Sequence, residues 1–500
     1  MISSEIKFLL THSSIYGLGT MISRVTSLLL LPLYTRYLTP SDYGVLSTIE
    51  ITSGLIGIVV TIGIALGLSR FFYESDNIKD RNLVVSTTFL VYAVVAMLAL
   101  PFLFLSTKTF SLILFGKVDY WNLFAISFFT LIIQGVNDIG VMYLRLLKKS
   151  TVFILITISR LLFIILLNIV FIVHFQMGIL GILYSSLIIS LLYGLTLTFF
   201  ILWRTKIKYS HQLAIDMLKY SIPIIPSRLA ETLVKQSDKY FVLHFFSTAQ
   251  LGIYSLSLKI GNSVHDLLTV PFNMAYIPRR FEIMQRADAK SIYARIFTYY
   301  MFLMINVGLA ISMFIPEILR LLVTPEFFEA ARYIPLVVFS MIIFGSHRHL
   351  EFGILYSKKT KFLAYINVTT SIVNLLLNYL FIQNFALWGA IISSIVALSI
   401  QAFAFYYFST KHYAIKYEFS RIIKVCILAI AFYLGSTQIN FTFVLINVII
   451  KIGLFIMFFL SFFYMRILTI EEKKSIKHFS KSRRFLFFGR KQQINAPIAH

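Results

Sequence analysis

The sequence is poor in cysteine and in charged residues. Cys426 is the single cysteine among 500 residues, which excludes an internal disulfide framework. Charged residues make up 13% of the chain, against ~25% in ordinary soluble domains. Hydrophobic residues make up 58%. This composition is typical of a membrane protein with many spans and excludes an ordinary soluble domain.

The sequence also lacks the common catalytic and nucleotide-binding motifs. It has no Walker-type glycine loop followed by Lys and Ser or Thr, and Gly17 and Gly19 lack the third glycine of a dinucleotide-binding loop. It has no Gly-x-Ser-x-Gly element. His347 and Glu351 are spaced like two metal ligands on one helix face, but no third ligand has suitable spacing. We therefore predict no enzymatic activity, no cofactor and no metal.

Apolar runs of roughly 20 residues recur along the chain, and a helix of that length crosses the ~30 Å hydrocarbon core of a bilayer. We identify about 14 such runs. They lie near residues 13–37, 44–68, 83–106, 121–144, 152–174, 178–203, 219–244, 251–276, 293–315, 333–356, 362–383, 386–408, 422–438 and 442–465. The predicted fold is therefore an all-α polytopic membrane protein.

Basic residues far outnumber acidic ones, with 45 Lys and Arg against 21 Asp and Glu. When the N-terminus is placed in the cytoplasm, about 32 of the 45 fall in cytoplasmic segments and about five on the other side. This bias follows the positive-inside rule, so the net charge of +24 reports membrane topology and does not indicate nucleic-acid binding. Both termini are predicted to be cytoplasmic.

The seventh predicted span carries the densest set of charges. Arg228, Glu231, Lys235 and Asp238 follow one another at helical spacing, which places all four on one face of an α-helix. A charge at the centre of a spanning helix costs ~2.5–3.5 kcal/mol on insertion scales, so such residues face protein or water instead of lipid. We therefore expect this face to line a water-filled cavity.

The chain repeats itself at an offset of about 210 residues. The matched positions include Gly44 with Gly252, Ser47 with Ser255, Lys148 with Lys358, Asn168 with Asn378, and Ser185 with Ser393. Because an even number of spans separates them, both halves keep the same orientation in the membrane. We predict one six-helix lobe in residues 1–210 and a second in 211–410, around a central cationic cavity. Residues 411–500 would add two spans and a basic cytoplasmic tail.

Charged residues within the predicted spans are the candidate site residues. By the repeat, Arg24 corresponds to a position between Arg228 and Lys235, so each lobe brings a cation to a similar depth. The candidates for substrate binding are Arg24, Arg160, Arg228, Lys235, Lys239, Lys259 and Arg348. The candidates for ion coupling or charge balance are Glu50, Asp138, Glu231, Asp238 and Asp266. This excess of cations favours an anionic substrate.

Some polar residues in the spans also fit simpler interpretations. Asp138 and Arg160 fit an ion pair that only holds two helices together. Lys451 has no acidic residue nearby in the last span, so we expect its long side chain to reach the membrane interface. Tyr240 and Tyr254 are candidates to stack on sugar rings inside the cavity.

Two blocks of the chain resemble polysaccharide or O-antigen flippases of the Wzx type, a branch of the multidrug/oligosaccharidyl-lipid/polysaccharide exporter superfamily. They are SSIYGLGTMISRVTSLLLLPLYTRYLTPSDYGVLSTIEI, similar to that family's first two spans, and YSIPIIPSRLAETLVKQSDKYFV with LGIYSLSLKI, similar to its seventh and eighth. The resemblance implies a cargo of undecaprenyl-pyrophosphate-linked glycan, moved across the bacterial inner membrane. It also implies a polysaccharide polymerase and a chain-length regulator as partners. The family's dependence on basic residues maps by motif position to Arg24 and Arg228.

The predicted function is transport of this lipid-linked glycan by alternating access, coupled to an ion gradient. Arg24, Arg228 and Lys235 would hold the pyrophosphate, because concentrated negative charge needs cations when it leaves water. A multidrug antiporter and a peptidoglycan-precursor flippase of the same superfamily are the alternatives within transport. A membrane glycosyltransferase or polymerase is the alternative from another class, although it would be expected to carry a long outer loop with paired acids. A non-transporting scaffold protein is a further alternative.

Overall fold

The computed structural model describes most of the chain as helices. The described residues are 28–61, 64–74, 77–284, 286–357, 361–439 and 441–465, together with Lys359 and Ile467. Within them the regular structure is helical, without a β-strand. Ten helical segments in this part of the chain are long and apolar enough to span a membrane. The prediction of an all-α polytopic membrane protein is thus confirmed.

Eight helices cover the first half of the described chain. They are α1 (Leu31–Tyr37), α2 (Pro40–Val60), α3 (Ile64–Phe72), α4 (Ile78–Phe115), α5 (Trp121–Leu146), α6 (Ser150–Asn168), α7 (Gly178–Thr205) and α8 (His211–Ser221). A π-helical segment, Ile169–His174, continues α6. The first predicted span lies largely outside the described residues, and Arg24 lies there as well.

Nine helices cover the second half. They are α9 (Ile225–Phe245), α10 (Thr248–Val264), α11 (Val270–Ile283), α12 (Ala289–Leu322), α13 (Ala330–Leu350), α14 (Phe352–Tyr356), α15 (Lys361–His412), α16 (Phe419–Thr437) and α17 (Val444–Tyr464). The helix α15 contains the two predicted spans 362–383 and 386–408, with non-helical backbone at Ala386, where φ is 50°. The predicted break between these spans is therefore present as a kink at Ala386, which divides α15 into two helical parts.

The Leu-Thr-Pro-Ser-Asp segment starts α2 as a capping box. Asp42 donates its backbone N–H to Thr39 Oγ1 at 3.2 Å, and its carboxylate accepts the backbone N–H of Thr39 at 3.0 Å. Pro40 occupies the first helical turn, where no backbone donor is needed. The equivalent start of α10 is capped by Ser247, whose hydroxyl accepts the N–H of Gln250 at 3.3 Å.

The internal repeat is visible in the side-chain hydrogen bonds. Asn137 of α5 donates to the carbonyl of Ser190 at 3.1 Å. His347 of α13 donates to the carbonyl of Leu398, also at 3.1 Å. Both partners are shifted by about 210 residues, so α5 meets α7 as α13 meets the second part of α15. The imidazole of His347 is thus used in helix packing.

The described residues divide into two compact units. The first contains those up to Tyr293 together with Ile318–Ile415, and the second contains Ala294–Glu317 together with those from Lys416 onward. In the second unit, Lys451 Nζ donates to both carboxylate oxygens of Glu317 at 2.7 and 2.9 Å. Both side chains are buried. The expectation that Lys451 reaches the membrane interface is wrong, because its acidic partner lies far away in sequence.

Candidate functional site

The helix α9 carries the charged stripe that the sequence indicated, but its members differ in exposure. Arg228 and Lys235 are exposed, whereas Asp238 is buried with 4% of its surface accessible. The side chain of Glu231 lies outside the described part of the structure. A short 3-10 turn, Ile222–Ile224, precedes α9 where the prolines interrupt regular helix. The stripe therefore presents its two cations outward and keeps Asp238 inside the protein.

Three exposed cations lie on α9 and α13. Lys235 Nζ lies 5.1 Å from the ring centroid of Phe344, a residue of α13. Arg348 follows Phe344 by about one helical turn, and 57% of its side-chain surface is accessible. Its Nη1 lies 3.0 Å from Glu351 Oε1. With Arg228, these residues form a set of cations that we call the cationic wall.

The candidate Asp266 lies near this wall but faces a histidine. Its Oδ1 lies 3.5 Å from His265 Nδ1, and both side chains are about a fifth exposed. The ring of His265 packs against Phe344, with centroids 5.0 Å apart. Phe344 therefore contacts both the lysine of α9 and the histidine that follows α10.

Lys239 and Lys259 lie in a second cluster, with Glu50. Lys259 Nζ lies 5.5 Å from the ring centroid of Tyr34 and 5.8 Å from that of Tyr43. Glu50 interacts electrostatically with both lysines. The charges of these two lysines are thus partly balanced by an acid and by aromatic rings. The sequence placed all of these cations in one candidate set, and the structure shows that Lys239 and Lys259 share the acid Glu50.

Asp238 belongs to a buried polar cluster. The Tyr254 hydroxyl donates a short hydrogen bond to Asp238 Oδ2. Beside it, Asn378 donates to Ser237 Oγ at 3.3 Å and to Asn374 Oδ1 at 3.1 Å. The Oδ1 atom of Asn378 is buried without a hydrogen-bond partner among the described residues. Oxygen-rich clusters of this kind suit a small cation.

The tyrosines suggested for sugar stacking are engaged elsewhere. Tyr254 is fully buried, and its hydroxyl binds Asp238. Tyr240 is half-buried, and its hydroxyl lies 2.9 Å from Thr52 Oγ1. The suggestion is wrong for Tyr254, because no face of its ring is accessible.

Asp138 and Arg160 do not form the direct ion pair of the simpler interpretation. Gln134 lies between them instead, because Arg160 Nη2 donates to Gln134 Oε1 at 2.7 Å. The amide nitrogen of Gln134 in turn donates to Asp138 Oδ1 at 3.0 Å. We call these three residues the amide-bridged triad. An amide within a span needs partners, so Gln134 could be noticed in the sequence, but its bridging position could not.

The two halves of the repeat meet at the N-terminal ends of α2 and α10. A Cβ atom at Gly44 would lie 1.8 Å from the carbonyl oxygen of Thr248, and one at Gly252 would lie 1.8 Å from that of Pro40. Ser255 donates to Ser47 at 2.8 Å between the same helices. The glycines matched in the repeat are therefore the residues that allow the two backbones to touch.

Two stretches of the chain match known protein families. Residues 9–284 match the family described as polysaccharide biosynthesis protein, which is more than half of the chain. The chain belongs to the polysaccharide biosynthesis protein family. Residues 223–380 of this family member also match the family described as MatE. The predicted resemblance to a polysaccharide family is confirmed by this match.

Relatives and solved structures agree with this assignment. The polysaccharide biosynthesis family member is 23% identical over 372 residues to the Lsg locus putative protein 1 of Haemophilus influenzae, covering 72% of this chain and 88% of the relative. The lipid II flippase MurJ in an inward closed conformation matches with a TM-score of 0.72 and 13% identity, covering 91% of this chain and 99% of MurJ. An inward-facing multidrug resistance MATE transporter has a TM-score of 0.60 and 13% identity, covering 82% and 96%. These structures share the fold of this family member.

Proposed function

We propose that the chain moves an undecaprenyl-pyrophosphate-linked oligosaccharide across the bacterial inner membrane. The cargo would be the repeat unit of O-antigen or of another surface polysaccharide. The observation that carries this proposal is the cationic wall, Arg228, Lys235 and Arg348, on membrane helices of a polysaccharide biosynthesis family member. The similarity in fold to a flippase of lipid II, itself a lipid-linked saccharide, supports the same substrate class.

The cationic wall suits a pyrophosphate. Each hydrogen bond to a charged group contributes roughly 1.5–3 kcal/mol, and guanidinium and ammonium groups are the usual phosphate partners. An exposed charge on a membrane helix is stable only where water or protein surrounds it, so these cations require a wet path through the membrane. Arg24, on the first span, would supply the matching cation of the other lobe.

The transport cycle would alternate between two arrangements of the lobes, residues 1–210 and 211–410. The close contact at Gly44 and Gly252 would close one end of the path, and its separation would open that end. Asp238 is our candidate for ion coupling, because its carboxylate is buried and accepts the Tyr254 hydroxyl. The positive charge of the empty path would be balanced by four acidic residues: Glu50, Asp138, Glu231 and Asp266.

A polysaccharide polymerase and a chain-length regulator would act on the product at the outer face. Their substrate is the same lipid-linked glycan once it has crossed the membrane. No catalytic role is proposed for the chain itself. Drug export is the second candidate, since residues 223–380 match the MatE family. The cationic wall disfavours it for cationic drugs, because like charges repel.

The test is substitution of Arg228→Glu in a strain that lacks the chromosomal gene. We expect surface polysaccharide to fall by at least about tenfold, because a charge reversal removes a contact worth more than ~1.4 kcal/mol. Lys79→Glu is the matched control, since Lys79 is exposed at the start of α4, where an acid suits the helix terminus. Normal polysaccharide with Arg228→Glu, at equal expression, would contradict the proposal. Raised drug sensitivity with unchanged polysaccharide would favour drug export.

A further inference from the structure

We propose that the amide-bridged triad, Gln134, Asp138 and Arg160, binds the sugar hydroxyls of the cargo. The proposal rests on the proposed function and assigns a second subsite to it. The cationic wall would take the pyrophosphate, and the triad would take the glycan. The triad and the cationic wall would then recognise chemically different parts of one substrate.

The repeat places the triad and the cationic wall at equivalent positions of the two lobes. The sequence Ile-Ile-x-Gly occurs at residues 132–135 of α5 and at residues 342–345 of α13. In this alignment Gln134 corresponds to Phe344, and Asp138 corresponds to Arg348. Asn137 donates to α7, and His347 makes the equivalent hydrogen bond to α15. These two bonds support the same alignment of α5 with α13. One position thus carries a cation in one lobe and an acid in the other.

The surroundings of these positions differ as well. Phe344 packs under the ammonium group of Lys235, whereas Gln134 joins a guanidinium to a carboxylate. The triad contains one positive and one negative group, so its net charge is zero. It therefore offers no net attraction to a phosphate. Duplicated helices that differ in this way suit a substrate with two different ends.

The triad lies on an exposed side of α5. Asp138 is exposed, whereas the flanking residues Asn137 and Ile139 are buried. An exposed carboxylate in the middle of a spanning helix is costly in lipid, so this side of α5 lines the wet path. Ser190 of α7 supports the triad from behind, with its hydroxyl 3.5 Å from Gln134 Oε1.

The triad leaves hydrogen-bonding groups available to a ligand. Its two internal hydrogen bonds use one carboxylate oxygen of Asp138 and one guanidinium nitrogen of Arg160. In the described part of the chain, the hydrogen bonds found leave Asp138 Oδ2 and the Nη1 of Arg160 without a protein partner. A carboxylate accepts hydrogen bonds and a guanidinium donates them. Neighbouring hydroxyls of a sugar ring both donate and accept, so a fixed acceptor beside a fixed donor matches them.

The test compares two ligands on the purified full chain in nanodiscs. The first is the lipid-linked glycan that accumulates in the host when the gene for this chain is deleted. The second is sugar-free undecaprenyl pyrophosphate. We expect Gln134→Leu to weaken binding of the first by about tenfold and to leave binding of the second unchanged. Asp138→Asn, which keeps the side-chain size, should also weaken binding of the first ligand, and it should not weaken binding of the second, because it removes a negative charge.

Arg228→Gln is the reference variant, because it should weaken binding of both ligands. Equal binding of the glycan-bearing lipid by wild type, Gln134→Leu and Asp138→Asn would overturn the subsite and leave the triad as a helix-packing contact. An equal loss of both ligands in the two triad variants would also overturn it. Failure of wild type to bind either lipid would instead overturn the proposed function.

Discussion

At the scale of single residues, burial decides what each charged side chain does. Lys451 and Glu317 are buried together in the second unit, and their geometry satisfies both charges. Lys235 is exposed and lies over the aromatic ring of Phe344. The same residue type therefore stabilises helix packing at one position and suits substrate binding at another.

The buried pair gives a stability prediction. Glu317→Leu should lower the free energy of unfolding of the second unit by roughly 3–5 kcal/mol, because it leaves a buried ammonium group without its partner. Glu317→Leu combined with Lys451→Met should recover most of this loss, since two apolar side chains of similar size replace the pair. Thermal unfolding of the purified protein in detergent measures both effects. Unchanged stability of the single variant would show that water or another residue reaches Lys451.

Single-residue environments were the least predictable feature of the sequence. The spacing of Arg228, Lys235 and Asp238 correctly predicted that all three lie on one helix. Spacing does not reveal which neighbouring residues bury each side chain. Asp238 is buried because Tyr254 of α10 packs beside it, and that contact depends on the tertiary fold. The partner of Lys451 and the bridging amide of Gln134 depend on tertiary contacts in the same way.

At the scale of helices, α2 and α10 bring the backbones of the two halves of the repeat into direct contact. Each glycine faces a backbone carbonyl of the other helix, at a distance that no side chain permits. Small residues of this kind allow helices in membranes to pack closely. The contact is also polar, since Ser47 and Ser255 join it and Ser41 lies 2.7 Å from Thr248. Such a contact can separate without exposing a large apolar surface.

Cross-linking tests whether this contact must open during transport. Ser47→Cys and Ser255→Cys, introduced together with Cys426→Ser, should form a disulfide on oxidation, because the two hydroxyl oxygens are 2.8 Å apart. We expect oxidation to stop glycan export and reduction to restore it. Each single cysteine variant is the control, since it cannot cross-link within the chain. Export at the normal rate by the fully cross-linked protein would show that α2 and α10 stay together.

The helices themselves could be predicted from the sequence, because apolar runs and terminal signals act locally. The apolar run near 44–68 predicted the helix that the structure begins at Pro40, after the capping box of Thr39 and Asp42. The repeated glycines indicated equivalent positions, but not that Gly44 and Gly252 touch. That contact needs the two halves to be folded against each other, which a sequence pattern does not state.

At the scale of the whole molecule, duplication followed by divergence is the main theme. The two halves share helix starts, kinks and buried hydrogen bonds. For example, Gln176 and Ala386 lie at equivalent turns, and both have positive φ angles. Their exposed charges differ, with Asp138 in one half where the other has Arg348. The shared features give the two halves the same fold. The features that differ would let the cationic wall and the amide-bridged triad bind different parts of the substrate.

Reconstitution in proteoliposomes tests the central claim most directly. The purified chain would be inserted into vesicles that contain the lipid-linked glycan, and movement between leaflets would be followed with an enzyme added outside that modifies only exposed sugar. We predict that wild type makes nearly all of the glycan accessible, whereas Arg228→Glu leaves the inner-leaflet half protected. Equal accessibility with Arg228→Glu and wild type, or no movement with wild type, would contradict transport of this lipid-linked glycan through the cationic wall.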